Sequence, residues 1–94
     1  MAVYMIGYDL VKPDHDYAPL YKALNEFSTS LHCLDSTWFI VSDQTAQEIL
    51  NGLLVHVHPK HDRLIVTPLT VGSAWTVGLG KESSDWLHRH LPKK

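Results

Sequence analysis

The chain has 94 residues, 45% of them hydrophobic, with eight basic against ten acidic residues and a formal net charge of −2. That length fits one small domain, and that hydrophobic fraction belongs to a globular protein and not a disordered one. The charge balance argues against a protein devoted to tight non-specific duplex binding, which needs a dense basic face, and the single cysteine, Cys33, excludes an internal disulfide.

The run at 2–10, AVYMIGYDL, is apolar, too short for a typical helix and bounded by Lys12, Pro13 and Asp14, which predicts a central strand. Alternation places Val3, Met5, Gly7 and Asp9 on one face and Tyr4, Ile6 and Tyr8 on the other. Gly7 inside a strand predicts a close approach on its face by another backbone or a partner. Residues 16–28 read as a helix: Asp14 or Asp16 can cap it, Pro19 is tolerated in the first turn, and Tyr17, Leu20, Tyr21, Leu24 and Phe27 recur at helical spacing.

Two short strands follow, at 31–34 and 37–41, joined at Asp35-Ser36. Asp43 is expected to cap a second helix that buries Ala46, Ile49, Leu50 and Leu53. After the polar turn HVHPKHD comes the strand RLIVTPL at 63–69, whose Pro68 places its end at an edge or a bulge. Gly72 breaks the chain, SAWTVG at 73–78 reads as a short fifth strand, and 83–91 as a terminal helical turn or two capped by Ser83 or Ser84.

This order predicts an α+β, ferredoxin-like βαββαβ domain over residues 1–94, with an extra short C-terminal strand and helix. Both main helices pack on one face of an antiparallel sheet, and a second copy of the chain is the simplest cover for the other, giving a homodimer. No stretch reads as a signal peptide, a lipid-attachment motif or a bilayer-crossing run, so a cytoplasmic location is expected.

The carboxylate of Asp9 is a hard oxygen ligand suited to Mg²⁺ or Mn²⁺; the structural alternative is that it accepts hydrogen bonds from loop amides where the strand ends. His56 and His58 would face the same way on an extended chain, but Pro59 and Lys60 make this a surface turn, and Asp62 is the one acid near enough to complete a metal site. Asp35, Ser36 and Thr37 offer polar groups at the hinge, and Trp38 can stack on a base or pack in the core or a dimer seam. His32 lies too close before Ser36 on the same hairpin for a Ser-His-Asp triad.

With its first strand ending in YDL, the amphipathic helix after it, the hinge DSTWFIV and the late strand RLIVTPL, the chain resembles the Cas2 family of CRISPR-associated proteins and their VapD-type relatives over about residues 2–78. It is most similar to the short stand-alone bacterial and phage proteins labelled the SinR family. The resemblance implies a homodimer in which Asp9 meets its two-fold mate, the pair binding Mg²⁺ or Mn²⁺ and cleaving phosphodiesters. It also places Ser36 and Phe39 at the positions that follow that family's hinge, and implies that the fifth strand pairs with the partner subunit. Where the family carries basic residues, this first helix has Lys22 alone and the hinge reads HCLD.

Besides a structural adaptor whose open sheet edge recruits another chain, two functions are expected from the sequence. One is a metal-dependent endonuclease acting on RNA, with Asp9 as catalytic and metal-binding residue. The other is a non-catalytic dimer that holds a nucleotide, oligonucleotide or protein partner through Tyr8, Ser36, Thr37 and Trp38, in phage defence or counter-defence.

Overall fold

The computed structural model describes residues 2–11, 16–27, 29–58, 60–69 and 77–91. The apolar N-terminal run forms the strand β1 (Ala2–Asp9), followed by helix α1 (Ala18–Asn25), strands β2 (Thr29–Leu34) and β3 (Thr37–Ser42), helix α2 (Ala46–Leu54), strand β4 (Arg63–Leu69) and helix α3 (Lys81–His90). The sheet is antiparallel throughout, in the order β2-β3-β1-β4. This α+β arrangement, an open four-stranded antiparallel sheet with three described helices, is compatible with a small ferredoxin-like fold. None of the described helices is long and apolar enough to cross a membrane.

The alternation in β1 sorts its side chains as expected. Tyr4, Ile6 and Tyr8 enter a core with Leu20 and Leu24 of α1, Ile49 and Leu53 of α2, and Trp38 and Ile40 of β3. On the opposite face Val3 packs with Phe39, Trp86 and Leu87, flanked by Met5, Leu31 and Leu69. Part of the cover that the sequence assigned to a second copy is thus supplied by the chain's own α3, whose apolar stripe lies over one end of the sheet. The Trp86 ring stacks on Phe39 with centroids 5.9 Å apart.

Several boundaries differ from expectation for local reasons. α2 is capped by Thr45 and not by Asp43: the Thr45 hydroxyl accepts from the Glu48 amide at 3.1 Å and the Glu48 carboxylate accepts from the Thr45 amide at 2.9 Å, a reciprocal capping box. α1 begins at Ala18, where Asp16 accepts from the Ala18 amide at 3.0 Å and Tyr17 occupies the cap position; Asp14, the other candidate cap, lies outside the described residues. α3 begins at Lys81, earlier than the serines suggested, with Gly80 at φ 102° as its first non-helical residue and Ser83 buried inside the helix. β2 carries an irregularity between His32 and Leu34. Of the expected fifth strand, residues 73–76 lie outside the described residues, and Val77 and Gly78 belong to a 3-10 turn.

Candidate functional site

Asp9 ends β1 directly across from Arg63, the first residue of β4, and one rung inward Gly7 stands opposite Ile65 on the same face. This is the sheet face that α3 covers at its other end, and among the described residues nothing covers the corner carrying Asp9 and Arg63, both of them exposed. A groove of about 340 Å³ lies there, lined by Asp9, Ser36, Thr37, Arg63 and Ile65 with Gly7 between them. A Cβ on Gly7 would meet the Ile65 Cγ2 at 3.2 Å, so the glycine lets the isoleucine lie close over β1. Ile65 nonetheless keeps 58% of its surface exposed, a large apolar side chain presented to solvent at the groove.

Asp9 is exposed, and among the described residues neither its carboxylate nor the Arg63 guanidinium has an ion pair or side-chain hydrogen bond. The structural alternative for Asp9, acceptance from loop amides, rests largely on residues 12–15, which lie outside the described residues. An exposed carboxylate with its lone pairs uncommitted fits a hard divalent cation, which retains several waters and needs one or two carboxylates. Among the described residues no group of three or more His, Cys, Asp or Glu side chains could hold a metal within one chain. A second protomer would therefore have to supply the other protein ligand, as the resemblance implied.

The hinge is held against β1 from behind. The Tyr8 amide donates to the Ser36 carbonyl at 3.1 Å, and the Tyr8 hydroxyl donates to the Asp35 carbonyl and accepts from the Trp38 indole N–H, both at 3.2 Å. Burial pushes the Tyr8 phenol above its ordinary value, the Trp38 N–H opposing the rise and Tyr21 and Asp35 adding to it. His32 stacks on the Trp38 ring at 4.5 Å and 10°, and its Nε2 lies 3.0 Å from the Asp35 carbonyl, which accepts, so Nε2 carries the proton.

Of the residues expected to bind a ligand, Ser36 and Thr37 therefore sit at the groove with Asp9. Tyr8 contributes to the lining while its side chain enters the helix-side core. Trp38 is 4% exposed, in that same core and covered by His32. It does not present a ring face to the groove, and base stacking there falls to another residue. Arg63 and Ile65 were not singled out in the sequence, because nothing local to RLIVTPL says which β1 residues they will oppose.

The histidine turn resolves into structure. Asp62 accepts from the Tyr17 hydroxyl at 2.7 Å, the Val11 amide at 3.0 Å and the His58 amide at 2.8 Å, tying the end of β1, the start of α1 and the approach to β4 together. His58 and His61 lie ring to ring at 4.6 Å, while His56 lines a separate groove beside Asp16, Lys22 and Glu26.

Fold and site together define a small α+β protein with an open antiparallel sheet and, at the exposed end of its central strand, a mainly apolar groove edged by Asp9, Arg63, Ser36 and Thr37. Compared with known proteins, the chain matches no protein-family model, no curated protein and no solved structure.

Proposed function

We propose that this chain is a ferredoxin-like homodimer of the Cas2 and SinR-family kind that cleaves RNA phosphodiesters with Mg²⁺ or Mn²⁺ held by Asp9 of both protomers. The observation that carries this reading is the exposed Asp9 carboxylate, uncommitted among the described residues, in a groove that Ser36 and Thr37 also line. A bound divalent ion would polarise the phosphate and lower the pKa of a water for attack. Asp9 would hold that ion, and the Ser36 and Thr37 hydroxyls would donate hydrogen bonds to the sugar-phosphate chain alongside.

A second reading has its own observation. Arg63 stands directly across from Asp9, and a carboxylate offset by a neighbouring guanidinium suits a dimer that binds a nucleotide or oligonucleotide without cutting it.

The two separate on labelled RNA incubated with Mg²⁺, Mn²⁺ or chelator, beside Asp9→Ala. The expected result is metal-dependent cleavage by the wild type, reduced at least about 100-fold in a variant that keeps its melting temperature and dimer mass, since loss of even an outer-shell partner of a metal costs about 10–100-fold. Equal cleavage by the folded variant would remove Asp9 from the chemistry, and binding without cleavage would establish the second reading.

A further inference from the structure

Arg63 is the sole cation among the described residues lining the groove, and no described residue engages its guanidinium. Among the described strands β4 pairs with β1 alone and lies at the sheet's edge, so this long side chain starts from a corner of the sheet and can swing over the groove. A guanidinium presents five donors in a planar fork that matches two phosphate oxygens at once. Directly opposed residues in an antiparallel pair stand about 4.5–5.5 Å apart at Cα, so Asp9 and Arg63 can approach one phosphate from two sides. Next to them, the exposed Ile65 side chain over the side-chain-free Gly7 makes an apolar floor on the same face.

We propose that Arg63 is the phosphate-holding residue of this groove, gripping one phosphodiester of the RNA strand while the attached nucleoside rests on Ile65. The assignment rests on the reading of the groove as an RNA site, and it gives Ile65 the contact that Trp38, buried in the opposite core, cannot make. Each protomer brings one Arg63 to the paired Asp9 corners, so the phosphate contacts are at most two. Affinity then comes in roughly comparable parts from those contacts and from apolar burial, and its salt dependence is shallow for a nucleic-acid binder.

The test is binding of a labelled RNA oligonucleotide in chelator, where nothing is cut, over a range of salt concentrations. Arg63→Gln is expected to weaken binding about 10-fold or more, the loss of at least one charge-assisted hydrogen-bonded contact, and to reduce the slope of log K against log salt by about 0.7 for each protomer's Arg63 that meets a phosphate. Arg63→Lys should keep most of the slope and lose part of the affinity, because the point charge survives and the fork does not. Ile65→Ser should weaken binding with the slope unchanged, and Asp9→Asn should bind as tightly as the wild type or tighter, its negative charge beside the phosphate being gone. Unchanged affinity and slope in a folded Arg63→Gln protein overturn the assignment, as does a wild type that binds no RNA in chelator. Binding lost in Arg63→Gln while the wild type cuts nothing with Mg²⁺ or Mn²⁺ would uphold Arg63 and sink the endonuclease reading.

Discussion

The Tyr8 hydroxyl joins the helix-side core to the hinge, accepting from the Trp38 indole and donating to the Asp35 carbonyl. Tyr8→Phe removes both bonds while keeping the ring, and leaves a buried indole N–H without its acceptor. A loss of about 1–3 kcal/mol in urea unfolding at neutral pH is expected, the cost of stranding a buried polar group. Because burial raises the Tyr8 phenol above its ordinary value of 10.0, the neutral form is favoured in the fold. Its contribution to stability is complete below the unfolded-state value and is lost as pH rises through the folded-state value, so the window lies above pH 10. Unfolding midpoints at neutral and strongly alkaline pH should show less alkaline loss in Tyr8→Phe than in the wild type; an identical loss would remove Tyr8 from the effect. That Tyr8 and Asp9 lie on opposite faces was legible from the alternation, though not that the Tyr8 ring, expected to meet a ligand, enters the helix-side core. The fate of Trp38 was not, because its stacking on His32 depends on the β2–β3 register, which shifts next to the hinge. Arg63 was hidden for a similar reason: its meaning comes from facing Asp9, and that is a long-range pairing.

At the scale of elements, the helix starts show what local sequence can and cannot carry. The run SDQTAQE offers Ser42, Asp43 and Thr45 as caps, all chemically competent. The structure selects Thr45 because it alone has a glutamate three residues on that can return the bond, and that signal was present in the sequence. Thr45→Ala should cost about 1 kcal/mol in unfolding free energy, while Thr45→Ser, which keeps the hydroxyl, should cost a few tenths. Equal losses from both would mean that the threonine methyl, and not the cap, is what matters. α3 begins differently, on Gly80 at a positive φ with no side-chain cap, so no residue-type signal marked its start. Its first turn is instead linked by Lys81 and Asp85 at 2.6 Å, and the Lys81 ammonium holds the Asp85 carboxyl below its ordinary value. Both groups are exposed, so the pair orients the helix start more than it stabilises it.

For the whole molecule, element order followed from periodicity, and order with antiparallel pairing leaves few sheet arrangements, so β2-β3-β1-β4 was accessible from the sequence. The destination of α3 was not. Its apolar residues, Trp86 and Leu87, mark a stripe to be buried, but a stripe does not name its partner, and a second copy could have received it equally well. That ambiguity makes Trp86 the informative place to probe. Replacing a buried tryptophan by alanine typically costs about 3–5 kcal/mol, a large share of the roughly 5–15 kcal/mol that holds a domain folded. Because α3 covers Val3 and Phe39 within the same chain, the loss in Trp86→Ala should be the same at every protein concentration. Dimerisation at the open Asp9 corner would add a separate, concentration-dependent component to the melting temperature, present in wild type and variant alike. Melting curves across a dilution series, read beside sedimentation mass, distinguish the two contributions. If Trp86→Ala instead abolishes the concentration dependence, the face beneath α3 belongs to the dimer, and the helix reaches across to the partner rather than folding back on its own sheet.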